Sequence, residues 1–172
     1  MDLQQFIRDV PDFPKKGIVF KDITPLLGNG AAFRRAIDDL AAAFASAGAT
    51  KVVAAEARGF IFGAALAYRL GIGFVPVRKP GKLPFRTRQV TYELEYGTDT
   101  LCMHEDAVQN GEKVLVIDDL LATGGTVSAM MRMLREIGAE VVGVGFLVEL
   151  DFLGGRKRLG NTKMTSLIHC QS

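Results

Sequence analysis

The stretch "VLVIDDLLATGGTV", Val114 to Val127, decides the fold. It opens with four apolar residues, runs through two adjacent aspartates and ends in a small, hydroxyl-bearing turn with paired glycines. An unbroken apolar run reads as a strand buried on both faces, the habit of parallel sheets covered by helices. Val127, Met130, Met131 and Leu134 follow at helical spacing, so Thr123, Gly124, Gly125 and Thr126 form the turn that begins a helix. Such a turn suits an anion: the first helical N–H groups lack intrahelical partners, the dipole favours negative charge, and glycine admits a phosphate close to the backbone. The bland alternative is an ordinary strand-turn-helix join in which Thr123 only caps the helix. Asp118 and Asp119 weigh against it, because two carboxylates at a buried strand's end would repel a phosphate and need donors or a cation.

Outward from this stretch, strands and helices alternate. Phe33, Ile37, Leu40 and Phe44 lie at helical spacing between Gly30 and Gly48, and "KVVAA" (Lys51 to Ala55) reads as a buried strand. A helix from about Gly59 to Leu70 stops at Gly71, before the strands "GFVPV" (Gly73 to Val77), "KVLVI" (Lys113 to Ile117) and "EVVGVGFLVEL" (Glu140 to Leu150). About four buried strands separated by helices predict an α/β fold: a mostly parallel twisted sheet flanked by helices, with ligands at the strands' carboxyl ends. Two segments break the rhythm. Residues 1–30, with "DFPKKG" and "DITPLLGNG", suggest a small irregular N-terminal hood, and 78–100, alternating at Val90, Tyr92 and Leu94, a flexible hairpin lid. With no repeat or linker, residues 1–172 read as a single domain.

Composition excludes several classes. Twenty-one basic against 19 acidic residues leave a formal charge of +2, so there is no polycation for nucleic acid. "GFIFGAALAY" (Gly59 to Tyr68) is too short to span a bilayer, so no membrane role is expected. Cys102 and Cys170 share no metal or redox spacing and read as free thiols of a cytoplasmic protein. The turn lacks the GxxxxGK[ST] order of a nucleotide triphosphatase, and neither "GIGFVP" nor "GVGFLV" completes a dinucleotide fingerprint.

A ribose bearing a 5'-phosphate reconciles carboxylates with anion turn: the phosphate sits on the turn while the sugar hydroxyls donate to Asp118 and Asp119. At this point "VLVIDDLLATGGT" resembles the phosphoribosyl pyrophosphate motif of the type I phosphoribosyltransferases. "DFPKKGIVFKDITPLL", "EARGFIFGAALA", "VPVRKPGKLP" and "YELEYGTDTL" resemble, in order and spacing over nearly the whole chain, the adenine-specific members of that family.

The resemblance implies a purine salvage enzyme that moves phosphoribose from phosphoribosyl pyrophosphate to N9 of adenine, giving AMP and pyrophosphate, with Mg2+ and as a homodimer. It carries ribose binding to Asp118 and Asp119 and 5'-phosphate binding to Ala122, Thr123, Gly124, Gly125 and Thr126. It carries pyrophosphate binding to Arg58, a base pocket to Phe20 with the backbone of Val19 and Lys21, and catalytic lid positions to Glu95 and Tyr96. Oxopurine relatives carry an acid where this chain has Ala122, which points to adenine.

Breaking the bond from C1' to pyrophosphate leaves positive charge on the sugar and negative charge on the leaving group. Arg58, Arg78, Lys79 and Lys82 are the candidate cations for the latter, and His104 is a further candidate pyrophosphate contact. Magnesium favours phosphate oxygens and water over an all-protein cage, so no protein metal ligands are expected. Glu95 could stabilise the sugar's charge or accept a proton from the purine, and both readings stay open. Two other classes compete: a nucleotide-sensing regulator on the same fold, and a phosphotransferase using Asp118 as nucleophile. The tail after Leu159 is expected to hold nothing more than a closing strand, and no role is assigned to it.

Overall fold

In chain order, a hairpin of β1 (Arg8–Pro11) and β2 (Val19–Asp22) precedes helices α1 (Thr24–Gly28) and α2 (Gly30–Phe44). Strand β3 (Lys51–Ala55), helix α3 (Arg58–Leu70) and strand β4 (Gly73–Val77) come next, followed by β5 (Thr87–Glu93) and β6 (Thr98–His104). The chain closes with β7 (Lys113–Leu121), α4 (Gly125–Ile137), β8 (Glu140–Leu150), α5 (Gly155–Arg158) and β9 (Met164–Cys170). This computed structural model describes residues 1–94 and 96–172.

Among the described residues the main sheet has five strands in the order β4-β3-β7-β8-β9, and every neighbouring pair is parallel. Alternation along β7 divides the core in two. Val114 and Val116 face a layer built from α4 and the β5–β6 hairpin, with Met130, Leu134, Val90 and Tyr92 buried in it. Leu115 and Ile117 face the layer of α1, α2 and α3, where Leu40, Phe44, Phe62 and Leu66 are buried. Full burial of each such side chain contributes roughly 1.5 to 3 kcal/mol, so both layers hold the sheet strongly. Helix α2 starts where the Asn29 side chain accepts from the Ala32 N–H at 3.0 Å, an N-cap that satisfies one of the first-turn donors.

The tail adds a strand to the sheet, and the structure differs from the sequence reading in three further places. This fifth strand, β9, is the closing strand expected of the tail, and it lies at the sheet's edge beside β8, with Met164 to Ser166 only half-buried. Strand β7 continues four residues past Ile117 to Leu121, so Asp118 and Asp119 lie inside the pairing, with Asp118 opposite Phe146. The hood is not irregular: Arg8–Asp22 and Pro11–Val19 frame an antiparallel hairpin. The second hairpin runs past residue 100, to a Thr87–His104 pair, and Arg78 exchanges backbone hydrogen bonds with Cys102. Among the described residues no helix is long and apolar enough to cross a membrane.

Candidate active site

Strand β7 has β3 and β4 on one side and β8 and β9 on the other, so connections leave its carboxyl end in opposite directions and open a crevice there. Both aspartates sit at that crevice. Asp118 Oδ1 accepts from the Asp119 backbone N–H at 2.9 Å. Burial pushes the Asp118 carboxyl well above the usual carboxylate range, the negative charge of Asp119 pushes the same way, and Arg58 only partly opposes them.

Arg58, the first residue of α3, brings Nε to 2.9 Å from Asp119 Oδ2. That contact is charge pairing alone: no donor points at Oδ2, which is buried without a hydrogen-bond partner among the described residues. A buried acceptor of this kind is costly unless a ligand supplies the donor, and a sugar hydroxyl is such a donor. The Arg58 guanidinium carbon lies 5.0 Å from the centroid of Phe20, close enough for a cation–π contact. Phe20 in turn meets Phe13 edge-on at 5.1 Å. Arg58 therefore joins the hood to the carboxylates. Val19 beside Phe20 is exposed, while Lys21 turns its ammonium to Asp9 at 2.9 Å.

The turn after β7 departs from the capping alternative. Among the described residues no side chain caps α4; Gly124 occupies the position before it at φ 83°, a left-handed conformation that suits glycine. Thr123 is exposed with its hydroxyl uncommitted to a cap, and the first N–H groups of α4 stay open. Asp118, Ala122, Thr123 to Thr126, Tyr92, Tyr96 and Arg158 line one cleft of about 770 Å³.

The basic segment is joined to the site through Glu56, two residues before Arg58. Glu56 Oε1 lies 3.2 Å from Arg78 Nε and accepts from the Lys79 backbone N–H at 2.8 Å. The Lys79 ammonium pairs with Asp99. Burial works to raise the Asp99 carboxyl, but the hydrogen bonds from Lys79 and the Thr100 N–H outweigh it and hold it below the usual range. Lys82 is exposed. The Tyr92 hydroxyl stands 3.3 Å from both Asp99 Oδ2 and Thr126 Oγ1, tying the hairpin to the turn.

Tyr96 is 80% exposed at the hairpin's tip, with the Lys15 ammonium of the hood 5.6 Å from its ring, so hood and hairpin approach each other over the cleft. Glu95 lies outside the described residues. His104 is not among the residues lining the cleft; its Nε2 accepts from the Phe85 N–H at 3.2 Å at the hairpin's base.

Four residues escaped the sequence reading: Glu56, Tyr92, Asp99 and Arg158. The first three hid in patterns with ordinary explanations, a strand end and an alternating hairpin. Arg158 carried a usable signal, a basic run directly behind the Gly154–Gly155 pair. One further acidic group, Glu149, Asp151 and His169, gathers its ligand atoms within 4.8 Å of one another. Glu149 is already satisfied by Arg156 at 3.0 and 2.6 Å and by Ser166 at 2.5 Å, so a cation there would have to displace an arginine.

A parallel sheet with a carboxylate pair and a phosphate-type turn at the carboxyl end of its middle strand defines a phosphoribosyl-binding protein. The family described as phosphoribosyl transferase domain matches residues 26–166, and the chain belongs to that family. Its relatives are adenine phosphoribosyltransferases. That of Solidesulfovibrio magneticus is 64% identical over 98% of both chains. The crystal structure of the Thermoanaerobacter pseudethanolicus enzyme matches with a TM-score of 0.94 at 54% identity, covering 98% of both chains. The Saccharomyces cerevisiae enzyme, in a crystal structure complexed with an imino-altritol bisphosphate and adenine, matches with a TM-score of 0.89 at 40% identity over 96% of both.

Proposed function

We propose that this chain transfers 5-phosphoribose from phosphoribosyl pyrophosphate to adenine, forming AMP and pyrophosphate in purine salvage. The observation that carries the reading is Asp119 Oδ2, a buried acceptor without a hydrogen-bond partner among the described residues, near the end of the strand that leads into an uncapped helix start. One ligand satisfies both: its ribose hydroxyls donate to Asp119 and Asp118, and its 5'-phosphate accepts from the turn at Thr123 to Thr126. Adenine, the base named with the yeast relative, fits a pocket framed by Phe20, whose ring offers a stacking face worth about 1 to 3 kcal/mol. Ala122, half-buried, brings no carboxylate to the base, as suits adenine rather than an oxopurine.

In the reaction the C1'–O bond breaks with its electron pair leaving on pyrophosphate. The N9 lone pair of adenine forms the C1'–N9 bond, and the purine's imidazole proton is released. Arg58 and the segment Arg78, Lys79 and Lys82 balance the leaving charge, while Asp118 and Asp119 fix the sugar on which positive charge develops. Glu95 and Tyr96 act from the hairpin as it closes over the base and keeps water out. Magnesium would be carried mainly by substrate phosphates and water rather than by protein ligands, in a crevice whose acidic residues Asp118 and Asp119 tolerate a cation, and would supply charge neutralisation to the leaving group.

The enzyme is read as a cytoplasmic homodimer. Two buried free thiols support the first point. Ile61 and Tyr68, seven residues apart on one face of α3 and both exposed, support the second by offering apolar area for a partner copy. The deciding assay incubates purified protein with magnesium, phosphoribosyl pyrophosphate and each purine base in turn. AMP from adenine, with far slower turnover of hypoxanthine and guanine, is the expected result; no AMP from adenine overturns the reading.

A further inference from the structure

The phosphate end of the cleft has a charge problem. Thr123, Thr126 and the backbone N–H groups are neutral donors, whereas the acidic residues lining the same cleft are Glu93 and Asp118. A phosphomonoester carries about −1.5 to −2 charges at neutral pH, so a cation is needed close to the turn. Among the described residues lining the cleft, Arg158 is the sole cation.

Its position is set by a backbone contact. A Cβ on Gly124 would meet the Gly155 carbonyl oxygen at 2.9 Å, and a Cβ on Gly155 would meet the Ala122 carbonyl oxygen at 2.3 Å. Only glycine at both places lets α5 dock directly on the phosphate turn. Arg158 lies three residues beyond Gly155, on the same side of this one-turn helix. It consequently faces the turn: its Nη1 is 3.6 Å from where a Cβ on Gly125 would stand. The neighbouring cation behaves differently, since Arg156 is committed to Glu149 through two nitrogens. Among the described residues Arg158 makes no ion pair within 4.0 Å.

We propose that Arg158 binds the 5'-phosphate of the nucleotide and of phosphoribosyl pyrophosphate, completing the turn with the charge its neutral donors lack. This rests on the phosphoribosyl reading of the turn, but not on adenine as the base. A planar guanidinium held over two glycines can donate in parallel to two phosphate oxygens, which also fixes the phosphate's orientation.

The test measures binding of ribose 5-phosphate, AMP and adenosine by calorimetry to the full chain and to Arg158→Ala, Arg158→Gln and Arg158→Lys. Loss of one charge-assisted contact predicts about a ten- to hundredfold weaker affinity for ribose 5-phosphate and AMP in the Ala and Gln variants, with adenosine unchanged and Lys intermediate. Unchanged ribose 5-phosphate affinity in both Ala and Gln overturns the proposal, as does an equal loss for adenosine, which would mark a packing role. A wild-type chain that binds ribose 5-phosphate through Arg158 yet makes no AMP overturns the adenine reading alone. A wild-type chain that does not bind ribose 5-phosphate overturns both.

Discussion

Arg58 and Asp119 stand 2.9 Å apart, Nε to Oδ2, without a hydrogen bond between them. The arginine is thus held in place electrostatically while the carboxylate keeps its acceptor available. In the proposed reaction a ribose hydroxyl would use that oxygen without first breaking a directed bond.

The first prediction follows from that arrangement. Arg58→Ala removes the cation beside Asp119 and the stack on Phe20 together, and kcat/KM for AMP formation should fall about ten- to a hundredfold. Arg58→Lys keeps the charge but not the planar stack, and should recover only part of the loss. Steady-state assays with adenine and phosphoribosyl pyrophosphate decide it; an unaltered kcat/KM in the Ala variant removes Arg58 from the site.

If Asp118 holds the ribose as proposed, it does so at the expense of stability. Because its carboxyl is raised in the folded state, folding favours the protonated form, and the ionised form weakens the fold as pH climbs above the ordinary value of 3.8 and through the folded one. Asp118→Asn keeps an oxygen for the Asp119 N–H and carries no charge. Calorimetric scans should show it melting a few degrees higher than wild type at pH 8, by about 2 to 4 °C per kcal/mol gained, with the gap closing below pH 4. Its AMP formation should collapse. A variant that melts lower at pH 8 contradicts the account.

Tyr92 reports on the link between hairpin and turn. Burial pushes its phenol up, so it stays a neutral donor and acceptor between Asp99 and Thr126. Tyr92→Phe keeps the packing but loses the link, which should raise KM for phosphoribosyl pyrophosphate severalfold and shift stability by about 1 kcal/mol or less. KM for adenine should hardly move, and equal changes in both would argue for a general packing effect.

Glu149 sets an acid limit. Burial works to raise it, yet the hydrogen bonds from Arg156 and Ser166 prevail and hold it below the ordinary 4.5. Its contribution is present above that value and is lost as pH falls through the folded one. Arg156→Gln should destabilise the fold at pH 7 by about 1 to 2 kcal/mol, a figure discounted because the arginine is 45% exposed. The penalty should shrink as pH falls below 4.5 in urea titrations; a difference constant with pH would deny Glu149 this role.

What could be read in the sequence was what repeats or alternates. The runs at Val52, Val116 and Val144 are apolar because both faces of each strand are covered, so the parallel sheet was legible from them. The carboxylate pair and the glycine turn stood out because they conflict, and the proposed ligand with two unlike ends is what would remove the conflict. Strand β9 was legible only as a closing strand without bounds, since an edge strand with residues only half-buried loses the apolar signature. Arg158 was legible only as part of a basic run behind the Gly154–Gly155 pair, because its place beside the turn depends on Gly124 and Gly155 meeting through the fold. Tyr92 read as hairpin packing, which it is, and its hydroxyl's second duty shows only in three dimensions.

Both native thiols are buried, Cys102 in β6 and Cys170 at the end of β9. Burial raises each above its ordinary value, and neither the Thr87 contact at Cys102 nor Lys21 near Cys170 reverses it. At neutral pH both are therefore poor nucleophiles toward alkylating labels. The chain comes with a silent background for spectroscopy: a single Thr98→Cys change at the exposed hairpin end would accept one fluorophore there and nowhere else. The approach of hairpin to hood could then be followed in solution on the protein's own two-cysteine scaffold, without first stripping it.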